Sequence, residues 1–401
     1  MPPAFRYVHR SGISLLASDA TAYFPPSGND ASAVTTEAYV QSLMRQAYTA
    51  KNLFAYVSDY AGTISIVYRS RDSGVNGNLT FTPTTTGVWE DTSNTDTLAS
   101  GDLYCIQGAF TGIGHNESFA QTVNAVTLEN ATSVGIDLAS YSSNVSFDSI
   151  NNRYASISGH FVTNTIEVHV QRTARTSATL AKLFVYMISG TPTTPVFRTR
   201  VNATNGGQSV GPTGAGTWED TSGTDTIAVG DEINYHGVTT GGTAMALRLA
   251  QVQTTSDAIQ HVAGSVSPSS TGLQHCPLDG AALGQEALAQ VTMRNTNVLK
   301  NLYAYLSAYS LNATPTFSVR INGATSAIQV SPTGTGVWED TSNTVTLVAT
   351  DEANYLFDSS AATTGSTTIN VFSVEETQPV VASFGIPFIM QSPSAIHMLT
   401  R

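Results

Sequence analysis

The stretch GVWEDTSNTDTLASGD, from Gly87 to Asp102, occurs twice more in the same chain, as GTWEDTSGTDTIAVGD at Gly216 to Asp231 and GVWEDTSNTVTLVATD at Gly336 to Asp351. The protein's three tryptophans, Trp89, Trp218 and Trp338, hold the same place in each copy. A block this specific, recurring at the spacing of a whole domain, marks a duplicated folding unit and not a solenoid turn. Upstream of it lies a second shared element, NLFAYVS at Asn52 to Ser58, KLFVYMIS at Lys182 to Ser189 and NLYAYLS at Asn301 to Ser307. Alternating segments follow, such as FRTRVN at Phe197 to Asn202 and FSVRIN at Phe317 to Asn322, which read as strands.

Each block can be read physically. Gly87 and its equivalents can take a positive φ and turn the chain, and the tryptophan buries a large ring against a sheet. Asp91-Thr92-Ser93-Asn94 offers side chains that close Asx and Ser/Thr turns on the backbone. The second aspartate, Asp102, Asp231 or Asp351, follows a glycine turn that becomes Thr350 in the third copy. Each repeat holds seven or eight short strands between Gly, Asn, Ser, Thr and Pro clusters. The nearest helical candidate, Glu37 to Asn52, corresponds to Leu288 to Asn301, where VTMRNTNV favours a strand. The expectation is an all-β chain of three tandem antiparallel β-sandwich, jelly-roll-like domains. Its divisions are an N-terminal arm (1–19), repeats at 20–135, 136–264 and 265–377, and an apolar tail at 378–401.

Composition agrees with a folded β-protein. Of 401 residues, 41% are hydrophobic and 8% aromatic, beyond what a disordered chain carries. Charged residues are only 11%, so Thr, Ser, Asn and Gly supply the polar surface. Seventeen basic residues against twenty-nine acidic ones give a net charge of −12 with no basic patch, which argues against nucleic-acid binding. The apolar run Ile13 to Ala17 is too short for a signal-peptide core or a membrane span, so the chain is expected to be made in a cytoplasm and released by another route, such as host lysis. Cys105 and Cys276 stand at different places in different repeats and read as buried thiols.

Paired acids in the blocks, Glu90-Asp91, Glu219-Asp220 and Glu339-Asp340, with Asp96 and Asp225 that give way to Val345, are the candidate chemistry. Calcium takes such oxygen ligands, which makes Asp91, Asp220 and Asp340 the metal candidates. The competing reading, that these aspartates cap turns, is the one adopted, and no metal or cofactor is expected. Glycosidase work also uses two carboxylates, but adjacent acids in a strand point to opposite faces. The eight histidines do not recur at one repeat position, and HExxH, GxSxG and Walker-type loops are absent. His115, beside Asn116 and Glu117 in a Gly-rich loop, is the one histidine to inspect for a ligand. Tyr56, Tyr186 and Tyr305 share one repeat position and read, with the three tryptophans and with Asp102, Asp231 and Asp351, as the structural core of the unit. Tyr60 and Tyr309 are the candidate surface contacts. The apolar tail, QPVVASFGIPFIMQSPSAIHMLTR, needs covering by its own sandwich, a neighbouring subunit or a larger assembly.

The order NLxxYxS, then an alternating strand ending in Asn322-Gly323, then the tryptophan block, resembles the repeated β-sandwich domains in structural proteins of tailed-phage virions. The resemblance covers Asn52 to Asp102, Lys182 to Asp231 and Asn301 to Asp351. Two departures fall in loops: Asn202-Ala203 stands for Asn-Gly in the second copy, and SRDSGVNGN, Ser70 to Asn78, reads as an extended loop in the first. The resemblance implies a non-enzymatic bacteriophage virion protein, such as a capsid decoration, spike or tail-surface component. Its partners would be other virion proteins and copies of itself, through residues 378–401, as a homotrimer or a single-chain pseudo-trimer. The alternative is a carbohydrate-binding adhesin that holds a host surface glycan between strands.

Overall fold

The computed structural model describes residues 5–9, 13–16, 21–24, 34–44, 47–61, 65–111, 120–130, 136–148, 152–157, 159–160, 163–174, 177–254, 259–263, 272–276, 278, 286–293 and 296–377. Most of them are strand, paired antiparallel apart from one short parallel contact between Gly159–His160 and Ser140–Tyr141. The first set comprises β1 (Phe5–His9), β2 (Ile13–Leu16), β3 (Thr21–Phe24), β4 (Tyr48–Ala61), β5 (Ser65–Asp72), β6 (Val75–Phe81), β7 (Gly87–Leu98), β8 (Leu103–Thr111) and β9 (Ala120–Asn130). The second comprises β10 (Ile136–Phe147), β11 (Arg153–Ala155), β12 (Ala178–Ser189), β13 (Val196–Val201), β14 (Thr204–Val210), β15 (Gly216–Ile227), β16 (Glu232–Val238) and β17 (Met245–Thr254). The third comprises β18 (Ile259–Ala263), β19 (Leu273–Cys276), β20 (Asn297–Tyr309), β21 (Thr316–Ile321), β22 (Ala324–Val330), β23 (Gly336–Leu347), β24 (Glu352–Asp358) and β25 (Thr367–Thr377).

Strand order is the same in each set. The second set pairs as β10-β17-β12-β15 in one sheet and β11-β16-β13-β14 in the other; the third pairs as β18-β25-β20-β23 and β19-β24-β21-β22. The first pairs as β1-β9-β4-β7, with β2 also on β9, and β3-β8-β5-β6. Counting eight strands along the chain, the sheets run 1-8-3-6 and 2-7-4-5, which is the jelly-roll order. Residues within the expected N-terminal arm thus add β1 and β2 to the first sandwich, and β18 belongs to the third sandwich's sheet.

Alternation builds three cores. In β12, Leu183, Val185 and Met187 turn inward and are fully buried, as are Leu53, Ala55 and Val57 in β4 and Leu302, Ala304 and Leu306 in β20. In the third core Phe317, Tyr355 and Phe372 meet edge to face or stacked, with centroids 4.8 to 5.8 Å apart. Each such ring contributes roughly 1.5–3 kcal/mol by leaving water.

The expected extended loop at Ser70 to Asn78 is instead a tight hairpin between β5 and β6. Its central pair, Ser73 and Gly74, has φ of 49° and 85°, as have Asn202 and Ala203 (50° and 58°) and Asn322 and Gly323 (49° and 77°). Two consecutive positive φ angles give the I′ turn whose twist matches the flanking strands, and asparagine or glycine adopts it readily. Of the strand expected from Leu288 to Asn301, Val291–Thr292 pair with β24 and the long strand β20 begins at Asn297. Residues Glu286–Ala289 form one helical turn, α1, and 3₁₀ turns occupy Glu37–Tyr39 and Glu167–His169 at the equivalent places.

Behind each hairpin sits a site that has diverged as a unit. In the first sandwich Ser70 Oγ donates to Asp96, whose Oδ1 also accepts from Asn78 N at 2.6 Å. The second repeats this with Thr199 and Asp225, which accepts from Gly207 N at 2.5 Å. A Cβ on Gly77 or Gly206 would run into that hydroxyl and carboxylate. Where the third sandwich has Val319 and Val345 in their place, Ser326 replaces the glycine, and Val319 is fully buried. Val345→Asp alone should therefore cost the third sandwich about 3 kcal/mol or more, because the carboxylate meets a valine and a serine. The triple change Val319→Ser, Ser326→Gly, Val345→Asp should recover most of it in denaturant titrations. Thr350, at φ 82°, holds a conformation that β-branched residues resist, whereas Gly101 and Gly230 serve in the other copies. Thr350→Gly should stabilise the third sandwich by about 1 kcal/mol.

Candidate functional site: caps, clamps and joints

The tryptophan block is a strand with a bulge. Across β4 and β7, Leu53 faces Asp91 and Lys51 faces Thr95, so Asn52 alone opposes three residues. Asn52, Lys182 and Asn301 all adopt a positive φ there, 53° to 56°. The looped-out residues present N–H groups to the preceding aspartate. Asp91 Oδ1 accepts from Ser93 N (3.0 Å) and Asn94 N (3.1 Å), and Oδ2 accepts from Thr80 N (2.8 Å) on β6. Asp220 takes Ser222 N, Gly223 N and Ser209 N at 2.8 to 3.0 Å, and Asp340 takes Ser342 N, Asn343 N and Gln329 N at 3.0 to 3.2 Å. Partial burial pushes these carboxyls up, but the hydrogen bonds outweigh it and hold each below the usual carboxylate range. The metal candidates thus have their oxygens occupied by backbone donors. The arrangement caps a bulge and ties the rim of one sheet to the rim of the other.

The other expected core residues divide. The tryptophans are half-buried on edge strands, and Trp218 and Trp338 pack against the cores of their sandwiches. Each Nε1 donates to the carbonyl four residues back, Thr85, Gly214 or Gly334, at 3.0 or 3.1 Å. The ring therefore clasps the loop that precedes it. Asp102, Asp231 and Asp351 close the next turn, accepting from Ala99 N, Ala228 N and Val348 N at 2.6 to 2.8 Å. Cys105 and Cys276 are buried thiols not joined in a disulfide, and Cys105 Sγ donates to Glu37 Oε1 at 3.7 Å. Tyr309 packs on the third core and donates to Ala313 O at 3.3 Å. The side chains of Tyr56 and Tyr60, residues His115 to Glu117 and the tail at 378–401 lie outside the described residues.

Sequence reading passed over a second threefold constellation. Arg71 grips Glu37 with two parallel hydrogen bonds (3.1 and 2.8 Å), Arg200 grips Glu167 (2.6 and 3.1 Å), and Arg320 grips Glu286 through Nε and, at 3.2 Å, Nη2. The same guanidiniums donate to the hairpin carbonyls of Gly74, Ala203 and Gly323. Each clamp fixes a helical turn beside the hairpin. The glutamates and arginines keep sequence separations of 34, 33 and 34, which was the available signal.

The clamped turns serve the joints between sandwiches. Tyr186 is half-buried on the outer face of β12, outside the sandwich interior, and Tyr39 from the first sandwich's turn lies on it at 5.7 Å. Arg248 stacks on Tyr39 at 4.9 Å, and Gln251 Nε2 donates to Leu43 O at 2.7 Å. Val34, Val40 and Cys105 of the first sandwich close an apolar cluster with Phe184 and Leu249 of the second. The second joint repeats the scheme, with His169 on Tyr305 at 5.7 Å. At the third, α1 approaches β9 of the first sandwich. On outward sheet faces, Phe54 of β4 is 3% exposed, and Ser318 and Leu356 of the third sandwich are 0% and 4%.

No family model matches the chain, and no curated protein matches it. Among solved structures, it is similar to a chain in the atomic structure of Sulfolobus Turreted Icosahedral Virus, at 12% identity and TM-score 0.15, over 84% of this chain and 80% of that one. It is also similar to a chain reported under the triple jelly roll fold and turret assembly in an archaeal virus, at 14% identity and TM-score 0.17, over 83% and 79%.

Replacing Asp220 by alanine leaves three N–H groups without their acceptor and should cost about 2–3 kcal/mol at neutral pH. Because the carboxyl's folded value lies below its unfolded one near 3.9, its contribution is complete above about pH 4 and is lost as pH falls through the folded value. The gap between wild type and Asp220→Ala in acid denaturation should close accordingly.

Proposed function

We propose that this chain is a non-catalytic structural protein of a virus particle, one in which three jelly rolls form a single-chain pseudo-trimer. The observation that carries this reading is the return of the third sandwich onto the first. Two head-to-tail joints of one kind, with α1 approaching β9 of the first sandwich, favour a chain that closes on itself over an open array. A closed unit of this kind presents a threefold-like block for packing into a shell or surface lattice. The repeated acids and arginines favour a scaffold over an enzyme, since their hydrogen bonds are spent within the fold on caps and clamps. The phage placement, as capsid decoration, spike or tail-surface component, follows from the sequence resemblance. Its partners would be other virion proteins and further copies, reached through residues 378–401, after synthesis in the host cytoplasm.

Multi-angle light scattering should give a monomer near 42.2 kDa, already equivalent to a trimer of single jelly rolls. A stable homotrimer would refute the single-chain unit. Mass spectrometry of purified particles should find the chain, and its absence there, with binding on a glycan array, would replace the virion role by an adhesin.

A further inference from the structure

The face that the second sandwich turns towards the third carries cations without spare carboxylates. Arg198 and Arg200 project from β13, and Arg200 is committed to Glu167. His236 of β16 lies with them at 7% exposure, its ring stacked on Tyr154 at 5.1 Å and its Nε2 3.3 Å from Asn152 Oδ1. Arg200 lies over the same tyrosine at 5.5 Å. His236 Nδ1 and Arg198 Nε are buried with no hydrogen-bond partner among the described residues. On the neighbouring strand and its loop, Arg153 is paired with Asp148. The third sandwich's sheet brings Lys300, Tyr303, Tyr305 and Glu375 to its outer face, where Glu375 is engaged by Lys300 at 3.4 Å and Asn301 at 2.7 Å. His169, the other imidazole of this joint, rests on Tyr305. Every carboxylate named here is thus already paired, and a proton on His236 would add a third positive charge beside two half-buried guanidiniums.

The other joints differ. Strand register puts Gln107 in the first sandwich and Leu356 in the third at the place of His236. Gln107 donates to Tyr23 Oη at 3.2 Å and carries no charge. The third sandwich's own histidine on this face, His275, has Glu286 at 3.9 Å.

We propose that acid opens the joint between the second and third sandwiches, with His236 as the sensing group, while the joint between the first and second stays shut. Burial, and then Arg200 and Arg198, press the imidazole down to about 4. The folded state thus binds fewer protons than the separated or unfolded one between that value and the ordinary 6.5, and stability falls as pH drops through this window. The window lies above the range in which the aspartate caps protonate. Opening of this kind depends on the joint alone and not on the virion role.

Small-angle scattering of the full chain from pH 7.5 to 4 tests it. The wild type should expand reversibly below about pH 6 with its β-sheet circular dichroism unchanged, and His236→Gln, which installs the first sandwich's residue, should stay compact. Cys105, buried in the first joint, should remain unreactive towards a thiol reagent throughout, and so should Cys276 in the third core. Equal expansion of His236→Gln, a wild type that stays compact to pH 4, or Cys105 labelling in step with expansion would each overturn the proposal. Should His236→Gln not fold, NMR titration of the wild-type imidazole decides: a midpoint well below 6.5 that tracks the expansion supports it, and an ordinary midpoint overturns it.

Discussion

One aspartate per sandwich takes up backbone donors that no β-ladder can satisfy. Strands β6 and β7, with their counterparts, are the rims of two different sheets, and sheets packed face to face share no hydrogen-bond ladder across the gap. Asp91, Asp220 and Asp340 bridge that gap by accepting from the bulge on one rim and from an amide on the other. Amides left unpaired there would cost the sandwich about 2–3 kcal/mol, a sizeable part of a domain's margin. The bulge, with the positive φ of Asn52, Lys182 and Asn301 opposite it, goes with seating that carboxylate.

Three copies of one unit in one chain allow a comparison that a single domain cannot offer. The cap, the indole clasp and the arginine clamp are kept at all three positions, where geometry leaves few substitutes. The site behind the hairpin has two solutions, a hydroxyl and carboxylate over glycine, or two valines with serine, and mixtures of them are absent. Joint residues diverge most, as Tyr39 and His169 or Gln107, His236 and Leu356 show. Each joint has one fixed neighbour, so its side chains are free to differ from those of the next.

Much of the fold was legible because the repeated block contains its own punctuation and its alternation has period two. Tyr186 and Tyr305 of the NLxxYxS element lie in buried clusters on outer faces and not inside a sandwich, for a physical reason. Strand β12 is apolar on both faces, since Phe184 and Tyr186 meet another sandwich, and periodicity cannot separate a core from a buried outer face. The loop reading at Ser70 to Asn78 failed because Ser73-Gly74 is a less familiar I′ pair than Asn-Gly. The glutamate–arginine clamps escaped notice because their partners are distant in sequence, though their spacing recurs.

The stapled rims also bear on crowding. An unpaired sheet rim is a template for edge-to-edge growth, and here amides such as those of Asn78 and Thr80 already donate to Asp96 and Asp91. A protein with blunted rims can accumulate to high local density, many copies side by side, without its strands seeding fibres.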